Sequence, residues 1–270
     1  MIPANYHLHS TFSYDGSSSV AEVCEAALAA GLRDIGFAEH LDFDRTDHAY
    51  GFLRYEAYAA AVADAAKRYA GRMNVRLGIE FDFRREYGQE PRRVLDSMAL
   101  DFTIGSVHKA AGEPIWTLGK RRPDEIEALD IRAMQADYFD EVEALARTGW
   151  CHVLGHFDCL YKQCPAVFGR HRDAWYWRRV EAILGACIER GTALEVNSHH
   201  AGDPGIALAA DGEILARYRA LGGRLLTIGS DAHRAAEIVG GYDEAEQAVR
   251  EAGFAEVTGF AAGRAYAIRL

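Results

Sequence analysis

Short apolar runs alternate with longer amphipathic stretches along the whole chain. Ala4–His9, Asp34–His40, Val75–Phe81, Phe102–His108, His152–His156, Ala193–Asn197 and Leu225–Asp231 read as strands. Helices are expected between them. Ser19 is a plausible N-cap with Glu22 three residues on, and the helix Val20–Ala30 stops at Gly31. An alanine-rich helix follows over Tyr55–Tyr69, and Pro91 fits the first turn of a short helix reaching Met98. Further helices are expected over Ile131–Thr148, up to Arg190 before Gly191, from Asp211 or Gly212 to Leu221, and over Ala235–Ala252. Lys109–Pro123 reads as a long loop and Asp158–Trp175 as a basic, aromatic insertion. Ala255–Thr258 and Ala265–Ile268 are short apolar pieces at the end.

Seven alternations of strand and helix call for parallel strands joined by helical crossovers. Each strand also feeds a polar residue to its C-terminal end: His9, His40, Glu80, His108, His156, Asn197 and Asp231. In a β/α barrel those ends converge on one face, where catalytic sites sit. An open doubly wound sheet uses a switch-point crevice and rarely recruits every strand. The expected fold is therefore α/β, a closed or nearly closed seven-stranded TIM-like barrel forming one domain over residues 1–270.

The strand ends define the candidate chemistry. Residues i and i+2 of a strand share a face, so His7 and His9 can aim two imidazoles at one point. Asp15 can fold back over the same mouth, with Gly16 relieving the turn, although Asp-Gly is also an ordinary turn signal. The candidate ligands are His7, His9, Asp15, His40, Glu80, His108, His156, Asp231 and His233. Imidazole with carboxylate suits zinc, manganese or iron. Asn197 reads as a loop-orienting residue, because a neutral amide is a poor ligand for these ions. His199 and His200 follow it and should lie near the mouth. His48, His152 and His171 lack a supporting pattern and read as structural or solvent-facing.

Composition narrows the partners. The formal net charge is −10, which argues against duplex nucleic acid or an anionic membrane. A small phosphorylated substrate remains compatible, since bound metals set the local sign. No apolar run is long enough to span a bilayer and no signal-peptide pattern opens the chain, so a cytoplasmic location is expected. The five cysteines are scattered, with no C-x-x-C pair. They read as buried free thiols.

The strings His7-Leu-His9 with Ser13 and Asp15-Gly16, Glu39-His40, Gly78-Ile-Glu80, Gly105-Ser-Val-His108, Gly155-His156-Phe-Asp158 and Gly229-Ser-Asp231-Ala-His233 resemble the PHP (polymerase and histidinol phosphatase) superfamily. The resemblance covers essentially the whole chain. It implies a distorted seven-stranded (β/α)7 barrel with a trinuclear centre of divalent ions. One metal would take His7, His9, Asp231 and Glu80. Glu80 would bridge to a second held by His108 and His156, and a third would take Asp15, His40 and His233. Hydrolysis of a phosphoester by a metal-bridging hydroxide is implied, with Glu80, Asp231 and His233 as catalytic residues. Ser13, Lys162, Arg121 and His199 are the expected substrate contacts.

The strings around His108 and His156 look most like the histidinol-phosphatase branch, which acts on L-histidinol phosphate in histidine biosynthesis. The string Asn197-Ser-His-His-Ala-Gly departs from that branch, and the basic residue after His156-Phe-Asp158 is displaced to Lys162. Alternatives are a superfamily phosphoesterase for nucleotides, nucleoside bisphosphates or oligonucleotide ends, and less favourably a metal-dependent amidohydrolase. A metal-stabilised binding module would be expected to have lost ligands, and no ligand string is missing.

Overall fold

The computed structural model describes residues 1–118, 120–199, 201 and 208–270. In chain order the strands are β1 (Ala4–Leu8), β2 (Asp34–Leu41), β3 (Asn74–Asp82), β4 (Phe102–Ser106), β5 (Lys109–Ala110), β6 (Glu113–Pro114), β7 (Val153–Leu154), β8 (Ala193–Asn197), β9 (Leu226–Gly229), β10 (Glu256–Ala261) and β11 (Arg264–Arg269). Seven of them form one sheet in the order β1-β2-β3-β4-β7-β8-β9. Every neighbouring pair in it is parallel. The ends then approach each other. The Asp231 amide donates to the His7 carbonyl at 2.8 Å, the His9 amide donates to the Ala232 carbonyl at 3.0 Å, and Leu8 bridges Ala232 in parallel. The result is the expected nearly closed seven-stranded barrel, with helices packed between its strands.

Local signals set the helix ends. Ser19 and Glu22 form the expected reciprocal cap on Val20–Ala29. Asp130, Asp173 and Asp211 each accept a first-turn amide of the helices Ile131–Thr148, Ala174–Arg190 and Gly212–Ala220. Gly149 and Gly191 end two of these in the left-handed conformation. Among the described residues, no helix is long and apolar enough to cross a membrane.

The floor of the barrel is aromatic. Tyr6, Phe102 and Phe260 are buried together, with the Tyr6 and Phe102 rings 5.1 Å apart at 72°. Burying each such ring contributes roughly 1.5–3 kcal/mol. The Phe102 ring lies where side chains on β2 and β3 would stand: a Cβ at Gly36 or Gly78 would come within 2.6 or 2.4 Å of it. The antiparallel β10–β11 hairpin closes this end, with the Phe260 amide donating to the Tyr6 hydroxyl at 2.9 Å.

Several elements differ from expectation. Strands β1, β4, β7 and β9 stop one or two residues early, so His9, His108, His156, Asp231 and His233 project from loop starts just beyond the ladder. The expected loop Lys109–Pro123 holds the β5–β6 hairpin and a helical turn over Ile115–Leu118. The expected helix Ala235–Ala252 is broken into a 3₁₀ turn, Ala235–Glu237, and a helix over Tyr242–Glu251. The break has a steric cause. Gly241 has φ +68 and a Cβ there would sit 2.5 Å from the Ser198 carbonyl oxygen. The close approach is held by Ser198 Oγ donating to the Gly240 carbonyl at 2.7 Å and Asn5 Nδ2 donating to the Ile238 carbonyl at 2.8 Å.

Candidate metal centre

Parallel register brings His40 level with Glu80, and Glu80 level with Ile104 one strand further. Glu80 therefore stands centrally among the strand ends, and it is buried. Its Oε2 lies 2.9 Å from His40 Nδ1, 3.3 Å from His7 Nε2 and 3.7 Å from His9 Nε2. Its Oε1 lies 3.0 Å from His156 Nε2 and 3.4 Å from His108 Nε2. Asp231 Oδ1 is 3.3 Å from His9 Nε2 and 3.6 Å from His7 Nε2. Asp15 Oδ1 closes the outer side, 3.5 Å from His40 Nε2 and 3.3 Å from His233 Nε2. All nine residues proposed from sequence as ligands thus meet at one cleft.

Two features of this arrangement suit divalent ions. First, His7 Nε2, His9 Nε2 and Glu80 Oε2 are buried without a hydrogen-bond partner, although buried polar atoms are nearly always satisfied. Ligand atoms of His7, Glu80 and His156, of His7, His9 and Asp231, and of His9, His40 and His233 also cluster closely enough to share an ion. Second, the charges are mutually dependent. Burial opposes ionisation of Glu80, yet His7, His40 and His108 hold its carboxyl well below the usual range. Burial opposes protonation of His40 and His108 too, but Glu80 with Asp15 or Asp82 raises both imidazoles well above the ordinary value. Protons here occupy the place that metal charge can take. His9 behaves oppositely: burial, then repulsion from His40 and His233, keeps it neutral and able to donate a lone pair.

A layer behind these groups fixes their orientation. Glu195 on β8 places Oε1 2.5 Å from His7 Nδ1 and Oε2 2.7 Å from the His156 amide nitrogen. A Cβ at Gly229, the last residue of β9, would come 2.4 Å from Glu195 Oε1, so β9 must carry glycine there for the pair to form. Asp82 lies 3.3 Å from His108 Nδ1. Ser106 donates to Glu80 Oε1 at 2.6 Å. Glu39 accepts from the Ser10 and Ser13 hydroxyls, each at 2.6 Å. Sequence reasoning assigned no role to Glu195, Asp82 or Ser106. The available signal was alternation: Glu195 is two residues before Asn197, and Asp82 two after Glu80, on the same faces.

The expected substrate contacts divide. Lys162 and His199 line the cleft with Glu80, His108, His156 and Asp231. Lys162 is buried, and its Nζ donates to Asn197 Oδ1 at 2.5 Å. Burial lowers its pKa, against the attraction of Asp231. Asn197 Nδ2 in turn donates to Asp231 Oδ2 at 3.2 Å. Ser13 is placed elsewhere than expected. Its buried hydroxyl sits behind His9, 3.0 Å from Nδ1, and accepts from the His40 amide at 3.0 Å. Arg121 is not brought to the cleft, because its guanidinium pairs with Glu113 at 2.5 Å. His200 lies outside the described residues. Of the histidines set aside, His152 packs on Phe260 at the barrel floor, and His48 borders a cavity beside the cleft.

A barrel with strand-end histidines and carboxylates around a buried glutamate defines a class of metal-dependent hydrolase sites. Comparison with known proteins gives the family. The PHP domain model matches residues 5–199. A probable histidinol-phosphatase of Deinococcus radiodurans is 30% identical over 261 residues, covering 93% of this chain and 94% of the relative. The histidinol-phosphatase of Lactococcus lactis is 24% identical, covering 95% and 93%. The Lactococcus lactis histidinol phosphate phosphatase solved with zinc, L-histidinol and phosphate superposes with a TM-score of 0.80 over 98% of both chains, at 23% identity. The chain belongs to the PHP domain family and is an enzyme of its histidinol-phosphatase-like branch, a branch of metal-dependent phosphomonoesterases.

Proposed function

We propose that residues 1–270 form one catalytic unit that hydrolyses L-histidinol phosphate to L-histidinol and phosphate, using up to three divalent ions. The observation carrying this reading is the convergence of His7 Nε2 and His9 Nε2, buried without a hydrogen-bond partner, on Glu80, which lines a cleft together with Lys162. His7, His9, Asp231 and Glu80 would hold one ion, Glu80, His108 and His156 a second, and Asp15, His40 and His233 a third. Zinc suits this donor set best by analogy, with manganese and iron acceptable to it. Bound divalent ions supply an activated water and neutralise charge on the phosphoryl oxygens.

The chain's own residues do the rest. Glu80 offers two oxygens to opposite sides of the cleft, which a neutral imidazole cannot do. Asp231 is oriented by Asn197, and His7 by Glu195. Lys162 extends from the insertion after His156 and presents an ammonium to the cleft, where it meets a phosphate oxygen. Its bond to Asn197 holds that ammonium in place before substrate arrives, so little orientation is lost on binding. His199 stands on the same wall, its ring 5.9 Å from that of His233. The homologues' names support the phosphatase and its small phosphorylated substrate. A second reading, hydrolysis of a nucleotide, is favoured by Trp116, which is 43% exposed on the cleft wall and offers a base a stacking face.

The test is phosphate release from a panel holding L-histidinol phosphate, a nucleoside monophosphate, a nucleoside bisphosphate and a short oligonucleotide, with zinc- or manganese-loaded protein. The expected outcome is a kcat/KM for L-histidinol phosphate at least a hundredfold above the others, about 2.7 kcal/mol of discrimination. Equal or faster turnover of a nucleotide would replace the first reading by the second.

A further inference from the structure

Among the described residues, one set of closely placed ligand atoms includes a residue outside the three proposed ion sets. Ligand atoms of His199, Asp231 and His233 lie within 4.8 Å of one another. His199 belongs to the connection after β8, and none of the three ion sets calls on it.

Two adjacent strand ends build this cluster. The Ser198 amide donates to the Gly229 carbonyl at 2.8 Å, which carries the end of β8 along β9. Asn197 then spans both connections with one side chain. Its Oδ1 accepts the His199 amide at 3.2 Å, and its Nδ2 donates to Asp231 Oδ2, also at 3.2 Å. Past β9 the chain turns at Asp231, whose φ of +51 is a conformation that aspartate adopts more readily than most residues. All three side chains line the metal cleft. The His199 and His233 rings stand 5.9 Å apart at 73°. Two imidazoles held at about 2.0–2.1 Å by one tetrahedral zinc have ring centres roughly 5 Å apart. A small rotation of the half-buried His199 ring therefore brings both onto a shared ion.

The neighbouring ion is the one that lacks donors. Asp15, His40 and His233 form the outermost of the three sets, and the Asp15 side chain is 50% exposed, whereas Glu80 and His7 are buried. Three protein donors leave a tetrahedral zinc one short, and the only carboxylate among them is the donor most open to water. A neutral imidazole has a single free nitrogen for a metal. His233 can therefore serve one ion, and the cluster with His199 extends that ion's shell in place of creating a separate site.

We propose that His199 is a tenth metal ligand, joining His233 on the outermost ion, with Asp231 between that ion and the one at His7 and His9. The inference rests on the metal-dependent reading of the cleft and deepens it. His199 moves from the substrate wall to the metal shell, and the ion fastens the connection after β8 to the centre.

The experiment titrates the full chain, His199→Ala and His199→Cys with zinc against a competing chelator, and with cobalt(II) followed by absorption. Steady-state kinetics with L-histidinol phosphate run alongside. His199→Ala should weaken the most weakly held ion by at least the roughly tenfold to hundredfold that partners behind a metal-bound histidine are worth. The tighter ions should stay within twofold. His199→Cys should restore the weakened ion, since thiolate also ligates zinc. Its cobalt form should show a thiolate-to-metal charge-transfer band that the cobalt-loaded unsubstituted protein lacks. All ions held within twofold in His199→Ala overturns the inference, and a raised KM in that case returns His199 to the substrate wall. Loss of every ion together also overturns it, because that outcome marks a structural role. Should His199→Ala not fold, the cobalt band of His199→Cys decides, its presence supporting the inference and its absence overturning it. An unsubstituted protein that takes up zinc but releases no phosphate would instead sink the hydrolase reading and leave this one standing.

Discussion

Glu195 is the sharpest place to test how the centre is held. It is buried on β8, makes no contact with the cleft's solvent, and is not among the proposed ligands. Its two oxygens do different work. Oε1 lies 2.5 Å from His7 Nδ1 and Oε2 accepts the His156 amide at 2.7 Å. An ionised carboxylate can satisfy both donors at once, which fixes the Nδ1–H tautomer of His7 and leaves Nε2 free for a metal. Glu195→Gln preserves shape but offers one oxygen and one NH₂. If the oxygen faces His156, the NH₂ faces His7 Nδ1 and drives the ring to the other tautomer, which protonates Nε2. If the oxygen faces His7, the NH₂ opposes the backbone N–H of His156. The first arrangement blocks the nitrogen a metal needs, and the second leaves a buried donor without its acceptor, at a cost of about 1–3 kcal/mol. Carboxylates behind metal-bound histidines are generally worth 10–100-fold in metal affinity, or about 1.4–2.7 kcal/mol. The assay is a zinc titration against a competing chelator, paired with phosphatase activity as a function of free zinc. The expected result is affinity reduced about 10–100-fold, with activity substantially recovered at high zinc. Affinity within twofold of the unsubstituted protein, in a variant that folds normally, would refute the account of how His7 is oriented.

Other consequences follow from the same geometry. Glu80→Ala should abolish hydrolysis and lower metal content together, since it removes the carboxylate that five imidazoles face. Full activity with unchanged metal stoichiometry in elemental analysis would rule out its central role. Lys162→Ala should raise KM for a phosphomonoester about tenfold or more while leaving zinc stoichiometry intact, and steady-state kinetics with an unchanged KM would remove Lys162 from the phosphate site. The raised pKa values of His7, His40 and His108 give a pH signature. Burial opposes protonation of all three, but the facing carboxylates outweigh it. Protonated pairs therefore stabilise the metal-free fold fully below the unfolded histidine value of about 6.5, and that contribution is lost as pH rises through the elevated folded values. Metal binding displaces those protons and strengthens over the same rise. The difference in Tm between zinc-loaded and chelator-treated protein should accordingly widen from pH 6 to 8.5, and a constant difference would contradict the coupling.

The barrel and the clustering of the candidate ligands at one rim were legible because two independent periodicities coincide. The alternation of apolar runs with amphipathic stretches fixes the crossover topology, and the polar residue at each run's end fixes which rim of the barrel carries chemistry. What could not be read was where ladders stop. β7 keeps only Val153 and Leu154, because the chain after it turns to present the His156 amide to Glu195, a residue of another strand. The division of Ala235–Ala252 at Gly241 is likewise invisible to helical periodicity, since its cause is the Ser198 carbonyl brought close by the fold. Substrate contacts were least legible. Arg121 and Lys162 are both basic residues in long connections, and only the tertiary structure pairs the first with Glu113 and turns the second toward Asn197.

The clustered acidic groups resolve an apparent conflict between a chain of net charge −10 and an anionic substrate. Glu80, Asp231, Asp15, Glu195, Glu39 and Asp82 are gathered at the one rim that must receive a phosphate. Without cations that rim would repel its substrate, and the protonated imidazoles offset the charge only in part. Divalent ions reverse the sign locally, at short range and in a site largely shielded from solvent, where such charges act most strongly. Carboxylates that face ligands, such as Glu195 behind His7, then serve the metal.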